Sequence, residues 1–292
     1  RFCCEFPIFG MSFVSSLEKY LTHADIFEDD SLAMLEEHTK NNPAFSKTLF
    51  QIYLDAARKI FGDFTSGKDR ILKFQMLECD QIRTSLELYR RRKGYSQGII
   101  YWMLNDCWPA AAGWSILDYY ACPKPAYYAF ARAAKPVIAS ISKSKEAFEV
   151  HVCNDMLTDA CGNGRIYVYD CKREMELLSE SFEFCVRENE SRKVFELDRS
   201  PMQKYLSDDC VIICDVHTDT SDDRAIFVEN RFADLGIEYA TPTVVSENEC
   251  EITVTADRFT PYAVIDSPYL LSENCFTLKA GEQKTVKKIL MP

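Results

Sequence analysis

The sequence predicts a multidomain chain, α/β in its first half and all-β in its second. Three observations carry this. Strand-like and helix-like runs alternate up to about residue 137. After Pro136 short alternating strand runs take over. Turn residues break those runs into two successive groups, as in antiparallel sandwiches.

Phe2–Phe6 reads as a short strand, and residues 17–20 and 31–40 read as helical. Pro43 then precedes Phe45, Leu49, Ile52, Tyr53, Ala56 and Ile60, whose helical spacing predicts a helix ended by Gly62. A longer helix is expected over residues 69–93. Leu72, Leu77, Ile82, Leu86 and Tyr89 form its apolar face, and Gly94 is its stop. Residues 98–104 are continuously apolar, the pattern of a strand buried on both faces of a parallel sheet. A last helix, 125–134, ends before Pro136.

The first β group comprises runs 147–153, 164–169, 179–186, 209–218 and 224–228. The second comprises 237–246, 250–256, 263–265, 275–278 and 283–289, with 230–236 as the linker between them. The expected domains are 1–137, 138–233 and 234–292. Two strands close neither a sheet nor a barrel. The chain also opens on Arg1, not Met, directly in an apolar stretch. Further N-terminal sequence is therefore expected in the protein.

The 292 residues are 47% hydrophobic and 27% charged, an ordinary globular balance. The net charge of −11 repels phosphate backbones, so nucleic acid is not an expected partner. The basic run Arg90-Arg91-Arg92-Lys93 ends a helical pattern, where cations favour the helix C-terminus, and is read that way rather than as a binding patch. No apolar run reaches the roughly 18 residues of a membrane span, and no signal-peptide order opens the chain.

The 13 cysteines include no Cys-x-x-Cys pair. Neither a disulfide framework nor a zinc site is expected, but free thiols in a reducing, cytoplasmic compartment. The sequon at Asn189 is then fortuitous. His23, His38, His151 and His217 lack metal spacing, and no cofactor motif is present. No metal or organic cofactor is expected.

Two segments are candidates for chemistry. Glu5 ends the first strand, where barrel enzymes place catalytic carboxylates. By itself it reads more simply as an exposed strand-end residue. Residues 98–109 crowd Tyr101, Trp102, Asn105, Asp106 and Trp108 at the end of an apolar strand. Sugars require this mixture, because aromatic faces cover pyranose C–H faces while amides and carboxylates hold hydroxyls. The same residues equally describe a core tryptophan followed by a turn. Trp114, Tyr119 and Tyr120 suit either a pocket rim or domain packing.

The segment Tyr101-Trp102-Met103-Leu104-Asn105-Asp106-Cys107-Trp108-Pro109, with Trp114-Ser115-Ile116-Leu117-Asp118-Tyr119-Tyr120 and Lys124-Pro125-Ala126-Tyr127-Tyr128, resembles the last barrel strand and following loop of the β-mannosidases of glycoside hydrolase family 2. Met103 replaces the family's usual Gln. The start, Arg1-Phe2-Cys3-Cys4-Glu5-Phe6-Pro7, is similar to the family's Arg-Phe-x-Ser-Glu-Phe-Gly, with Cys4 in place of Ser and Pro7 in place of Gly. The resemblance implies that the first domain is the C-terminal part of a (β/α)8 barrel, followed by two Ig-like sandwiches. It implies Glu5 as catalytic nucleophile, Trp102 as sugar platform, and Asn105, Asp106 and Trp108 as contacts to substrate or as shapers of its loop. The family's general acid/base lies on an earlier strand and is absent from this sequence.

The implied reaction is retaining hydrolysis of terminal β-D-mannose from a β-mannoside, through a covalent glycosyl-enzyme. On that basis this chain alone, holding one of two carboxyls, is expected to be inactive. Two other readings stand beside it. One is a non-catalytic carbohydrate-binding or structural module derived from such a hydrolase. The other is a family 2 enzyme of different sugar specificity.

Overall fold

The computed structural model describes residues 1–28, 32–41, 44, 46–202, 205 and 207–289. They form two compact units, each built from several stretches of chain. One comprises Arg1–Cys3, Thr84–Ile99 and Arg132–Ile237; the other comprises Cys4–Arg83, Ile100–Ala131 and Glu238–Pro292.

The α/β portion runs β1 (Phe2–Phe6), β2 (Gly10–Met11), α1 (Val14–Leu17), α2 (His23–Phe27), α3 (Ala33–Glu37), α4 (Leu49–Phe61), α5 (Gly67–Arg91), β3 (Gly98–Tyr101), β4 (Ala112–Gly113) and α6 (Pro125–Ala133). Strands β1 and β3 form a two-stranded sheet. Its bonds from the Gln97 N–H to the Arg1 carbonyl (2.7 Å) and from the Trp102 N–H to the Phe6 carbonyl (3.1 Å) advance together along both strands, so the pair is parallel. Two strands close no barrel. Among the described residues the (β/α)8 fold implied by the resemblance is therefore not formed.

The apolar run 98–104 yields only four strand residues, half-buried rather than covered on both faces. Ile100 is 52% exposed. With one neighbouring strand, β3 lacks the layers that would cover it. The Trp102–Met103 peptide that follows is cis.

Local signals set the helices. Thr48 Oγ1 accepts the Gln51 N–H at 3.3 Å and caps α4. Gly62, at φ 88°, closes the other end by donating to the Arg58 carbonyl. The helix expected at 17–20 starts earlier, as α1, because the Phe13 carbonyl accepts the amides of Ser16 and Leu17. The helix expected at 31–40 shrinks to α3. Ser31, Pro43 and Phe45 lie outside the described residues. Helix α5 departs furthest from a one-faced amphipathic pattern: residues 70–79 are buried on every side, including Arg70, Lys73, Gln75 and Glu78.

Residues 137–228 form a sandwich of β5 (Val137–Lys143), β6 (Ala147–Asn154), β7 (Ala160–Asp170), β8 (Met175–Val186), β9 (Ser191–Asp198), the short α7 (Arg199–Met202), β10 (Cys210–Thr218) and β11 (Asp222–Val228). Its sheets have the orders β5-β6-β9 and β11-β10-β7-β8. Alternation builds the core. Phe148, Val150 and Val152 of β6 and Ile166 and Val168 of β7 point inward to meet Ile212, Cys214 and Val216 of β10. Each large apolar side chain buried this way contributes about 1.5–3 kcal/mol.

Sequence pattern misses β5 and β9. Strand β5 is buried at five consecutive residues, so it shows no alternation. Strand β9 carries Arg192, Lys193, Glu196 and Asp198, and pairing with β6 orders it. The expected linker at 230–236 holds a 3-10 turn, Phe232–Leu235, with both Phe232 and Leu235 buried.

The basic run is structural. Arg90 donates to the carbonyls of Ala133 (2.7 Å) and Lys135 (2.7 Å), and Arg91 to Ser140 Oγ and the Ile141 carbonyl. Arg132 is held by Glu87 and, through two bonds of 2.9 and 2.7 Å, by Asp223. The expectation that no disulfide forms is corrected: Cys161 and Cys185, register partners on β7 and β8, are disulfide-bonded, and the other eleven cysteines form no disulfide. Neighbouring antiparallel strands bring these two cysteines face to face, which sequence spacing does not reveal. Thiol count is thus no argument for a reducing compartment.

The last stretch forms β12 (Thr243–Glu247), β13 (Glu251–Thr255), β14 (Thr260–Ala263), β15 (Leu270–Leu271), β16 (Phe276–Leu278) and β17 (Gln283–Ile289), in sheets β12-β13-β17-β15 and β14-β16. Ile252, Val254, Tyr262, Leu278 and Val286 are buried among them. Among the described residues no helix is long and apolar enough to cross a membrane.

Candidate active site

Glu5 stands on β1 with its side chain exposed. The next residue, Phe6, packs edge-to-face on Tyr101 with ring centroids 5.7 Å apart. The Tyr101 hydroxyl donates to the Ile8 carbonyl at 3.0 Å. With the Trp102–Phe6 bond, these contacts hold Glu5 and Trp102 at the same end of the parallel pair. The Trp102 side chain is 48% exposed.

The chain after Trp102 folds back on itself. Residues 103–106 exchange backbone bonds with 114–117: Met103 to Trp114, Ile116 to Met103, Leu117 to Leu104 and Asp106 to Leu117. Asn105 is exposed, its amide donating to the Asp106 carbonyl at 3.2 Å. Trp108 is half-buried and stacks on His38 at 5.6 Å, while His38 Nδ1 lies 2.9 Å from the Pro109 carbonyl. Asp118 closes the loop, accepting the amides of Tyr120 and Cys122 at 2.8 Å and the Ser16 hydroxyl.

Asp106 does not join the exposed set. Its side chain is buried, 2.5 Å from Lys40 Nζ and 4.0 Å from Lys124 Nζ. Glu5, Trp102 and Asn105 are thus exposed, Trp108 is partly covered by His38, and Asp106 faces inward.

Sequence reasoning missed what Asp106 meets. Glu78 is fully buried on α5, between Phe74 and Ile82, each one helical repeat away. Burial pushes its carboxyl up to about 8; Lys124 pulls against the rise and Asp106 adds to it. Lys124 is also fully buried. A carboxylate on an otherwise apolar helical stripe was the signal that could have found this group.

A separate cleft of about 620 Å³ lies on the 137–228 sandwich and is lined by Lys145, Glu146, Arg199, Asp208 and Glu229 among others. None of the five predicted site residues lines it. Among the described residues no cluster of His, Cys, Asp and Glu could hold a metal ion.

Comparison with known proteins places the chain. The profile of the Mannosidase Ig/CBM-like domain matches residues 146–230. The chain is 34% identical over 79 residues to β-mannosidase B of Aspergillus flavus, covering 26% of this chain and 9% of that protein. It is 28% identical over 167 residues to the β-mannosidase of Capra hircus, covering 54% of this chain and 19% of that protein. The matched region thus spans 9% to 19% of these relatives' length.

In fold, the chain superposes over its whole length on a β-D-mannosidase from Dictyoglomus thermophilum, with a TM-score of 0.81, 18% identity and 36% of that chain covered. An exo-chitosanase from Amycolatopsis orientalis follows the same fold over 97% of this chain and 39% of its own, with a TM-score of 0.73 and 16% identity. Its Ig/CBM-like domain, its curated relatives and its fold make the chain similar to a C-terminal portion of the glycoside hydrolase family 2 β-mannosidases.

Proposed function

We propose that this chain carries the nucleophile and one wall of the sugar site of a retaining β-mannosidase-like hydrolase. The observation that carries this reading is the juxtaposition of Glu5 and Trp102 at one end of a parallel strand pair, fixed by the Trp102–Phe6 bond. That is where barrel enzymes place reacting groups. In this reading residues 1–137 are the end of a (β/α)8 barrel, and 138–233 and 234–292 are Ig-like modules.

Glu5 attacks the anomeric carbon as a carboxylate. The glycosidic C–O bond breaks as its oxygen takes a proton from an acid supplied by another part of the protein. A covalent glycosyl-enzyme results. Water, deprotonated by the same group now acting as base, then displaces Glu5 with net retention. Retention requires the two carboxyls to lie about 5–5.5 Å apart. Trp102 covers the sugar's C–H face, and Asn105 offers an amide to its hydroxyls. Asp106 shapes the loop from within, and Trp108, braced by His38, carries its far side. The substrate class is a terminal β-D-mannoside.

The test is Glu5→Ala in the full-length protein that contains this chain, assayed on an aryl β-mannoside with and without azide. Turnover should fall by orders of magnitude and return with azide as an α-mannosyl azide, because the small nucleophile enters the space left by the carboxylate. Near-normal hydrolysis by the variant would sink the assignment. Preference for another aryl glycoside would move the reading to a different sugar, and an inactive wild type would move it to a binding or structural module.

A further inference from the structure

The strand that follows Glu5 and the loop that carries Trp108 meet at one β-pair, in which Gly10 and Gly113 are register partners. Ionisable side chains press on both glycines. A Cβ on Gly10 would stand 1.8 Å from Glu78 Cδ, and one on Gly113 would stand 3.0 Å from Lys40 Cδ. Glycine is required at Gly10 so that a buried carboxyl can approach the backbone.

The fully buried Lys124 reaches both strands of the pair. Its Nζ lies 3.5 Å from the Gly10 carbonyl, 3.4 Å from the Gly113 carbonyl and 4.0 Å from Asp106. Each distance is at the long end of its range, so the ammonium is shared among three acceptors and seized by none. Asp106 is itself engaged by Lys40 at 2.5 Å. The Ala126 N–H faces the Glu78 carboxyl, whose oxygens have no side-chain hydrogen-bond partner among the described residues.

The groups facing Glu78 come from every neighbouring element. They are Lys124 and the Ala126 amide at the start of α6, Asp106 of the loop, Tyr53 of α4, Tyr101 of β3 and Cys79 beside it on α5. Lys124 is the cation among them. When Glu78 carries its proton, the acceptors left to Lys124 are the two glycine carbonyls and the already occupied Asp106. When Glu78 is ionised it becomes a charged acceptor, stronger than any carbonyl.

We propose that Lys124 is a positioning residue that holds the segment after Glu5 against the loop bearing Asn105 and Trp108, and that ionisation of Glu78 releases this link by drawing the ammonium off the Gly10 and Gly113 carbonyls. The positioning role rests on the sugar-site reading above; the release does not. Burial places the Glu78 carboxyl at about 8, so release falls just above neutrality.

The experiment is amide hydrogen exchange read by mass spectrometry on the full-length protein, corrected for intrinsic rates, between about pH 6 and about pH 9.5. Peptides covering residues 8–13 and 103–118 are expected to lose protection in a step centred near 8. Glu78→Gln keeps the shape without the titration, and the step should vanish while protection persists to the top of the range. Lys124→Met should lack protection of these peptides at every pH. A step of unchanged midpoint in Glu78→Gln, or none in the wild type, overturns the release. If Lys124→Met does not fold, the isosteric Glu78→Gln still decides the matter.

The pH profile of kcat/KM on an aryl β-mannoside is measured alongside. An alkaline limb that disappears with the exchange step in Glu78→Gln supports positioning, and a limb unchanged by that substitution overturns it. A wild type that hydrolyses no glycoside sinks the sugar-site reading and the positioning role with it, while the exchange step still decides the release.

Discussion

The backbone N–H of Trp102 donates to the carbonyl of Phe6 at 3.1 Å, so the indole and the Glu5 carboxylate are presented from neighbouring strands at the same end of a parallel pair. A backbone bond fixes that placement with little dependence on side-chain rotamers. Side-chain substitutions at either position therefore probe chemistry more than fold.

Trp102→Ala should leave the fold unchanged, because the side chain is 48% exposed. On an aryl β-mannoside it should lower kcat/KM by about tenfold, the size of one lost aromatic contact. Steady-state kinetics with circular dichroism separate the two effects, and unaltered kcat/KM would remove Trp102 from the site.

Gly10→Ala drives a methyl group into the Glu78 carboxyl. It should destabilise the protein by about 1–3 kcal/mol, the usual cost of overpacking. The same change in a Glu78→Ala background should cost clearly less, because the space it needs is then empty. Denaturant unfolding of the four proteins of this cycle measures the coupling, and strict additivity would deny the contact.

Glu78 also sets a pH dependence of stability. Its carboxyl titrates near 4.5 when solvated and near 8 in the folded protein. Between these values the folded state binds the proton more tightly than the unfolded state. Its stabilising contribution is therefore complete below the lower value and is lost as pH rises toward the upper one, at about 1.4 kcal/mol per pH unit. Glu78→Gln abolishes this slope, so the unfolding free energy of the variant minus that of the wild type should rise with pH across that window. A difference independent of pH would contradict a buried, protonated Glu78.

Arg132→Met takes the guanidinium from Asp223 and Glu87, whose side chains are almost fully buried. Stranding such carboxylates costs about 3 kcal/mol or more. Loss of unfolding free energy should appear in Arg132→Met. The triple replacement Arg132→Met, Glu87→Gln and Asp223→Asn should recover part of it, since the uncompensated charges are then gone.

Chain order alone determined what obeys local rules. The stop of α4 at Gly62, the positions of α5 and α6 and most sandwich strands follow from spacing and turn residues. The resemblance carried by residues 1–7 and 101–128 marked Glu5 and Trp102 as a pair. Tertiary structure decided everything that depends on what lies opposite. It bonded Cys161 to Cys185 across two strands, ordered the charged β9 against β6 and left β3 half-covered. It turned Asp106 inward onto Lys40 and Lys124, and it buried Glu78 beneath Gly10. The physical reason is the same in each case. A local pattern records a residue's own preference for water or apolar surroundings, whereas the cost of burying a charge or the value of a glycine is set by partners far away along the chain.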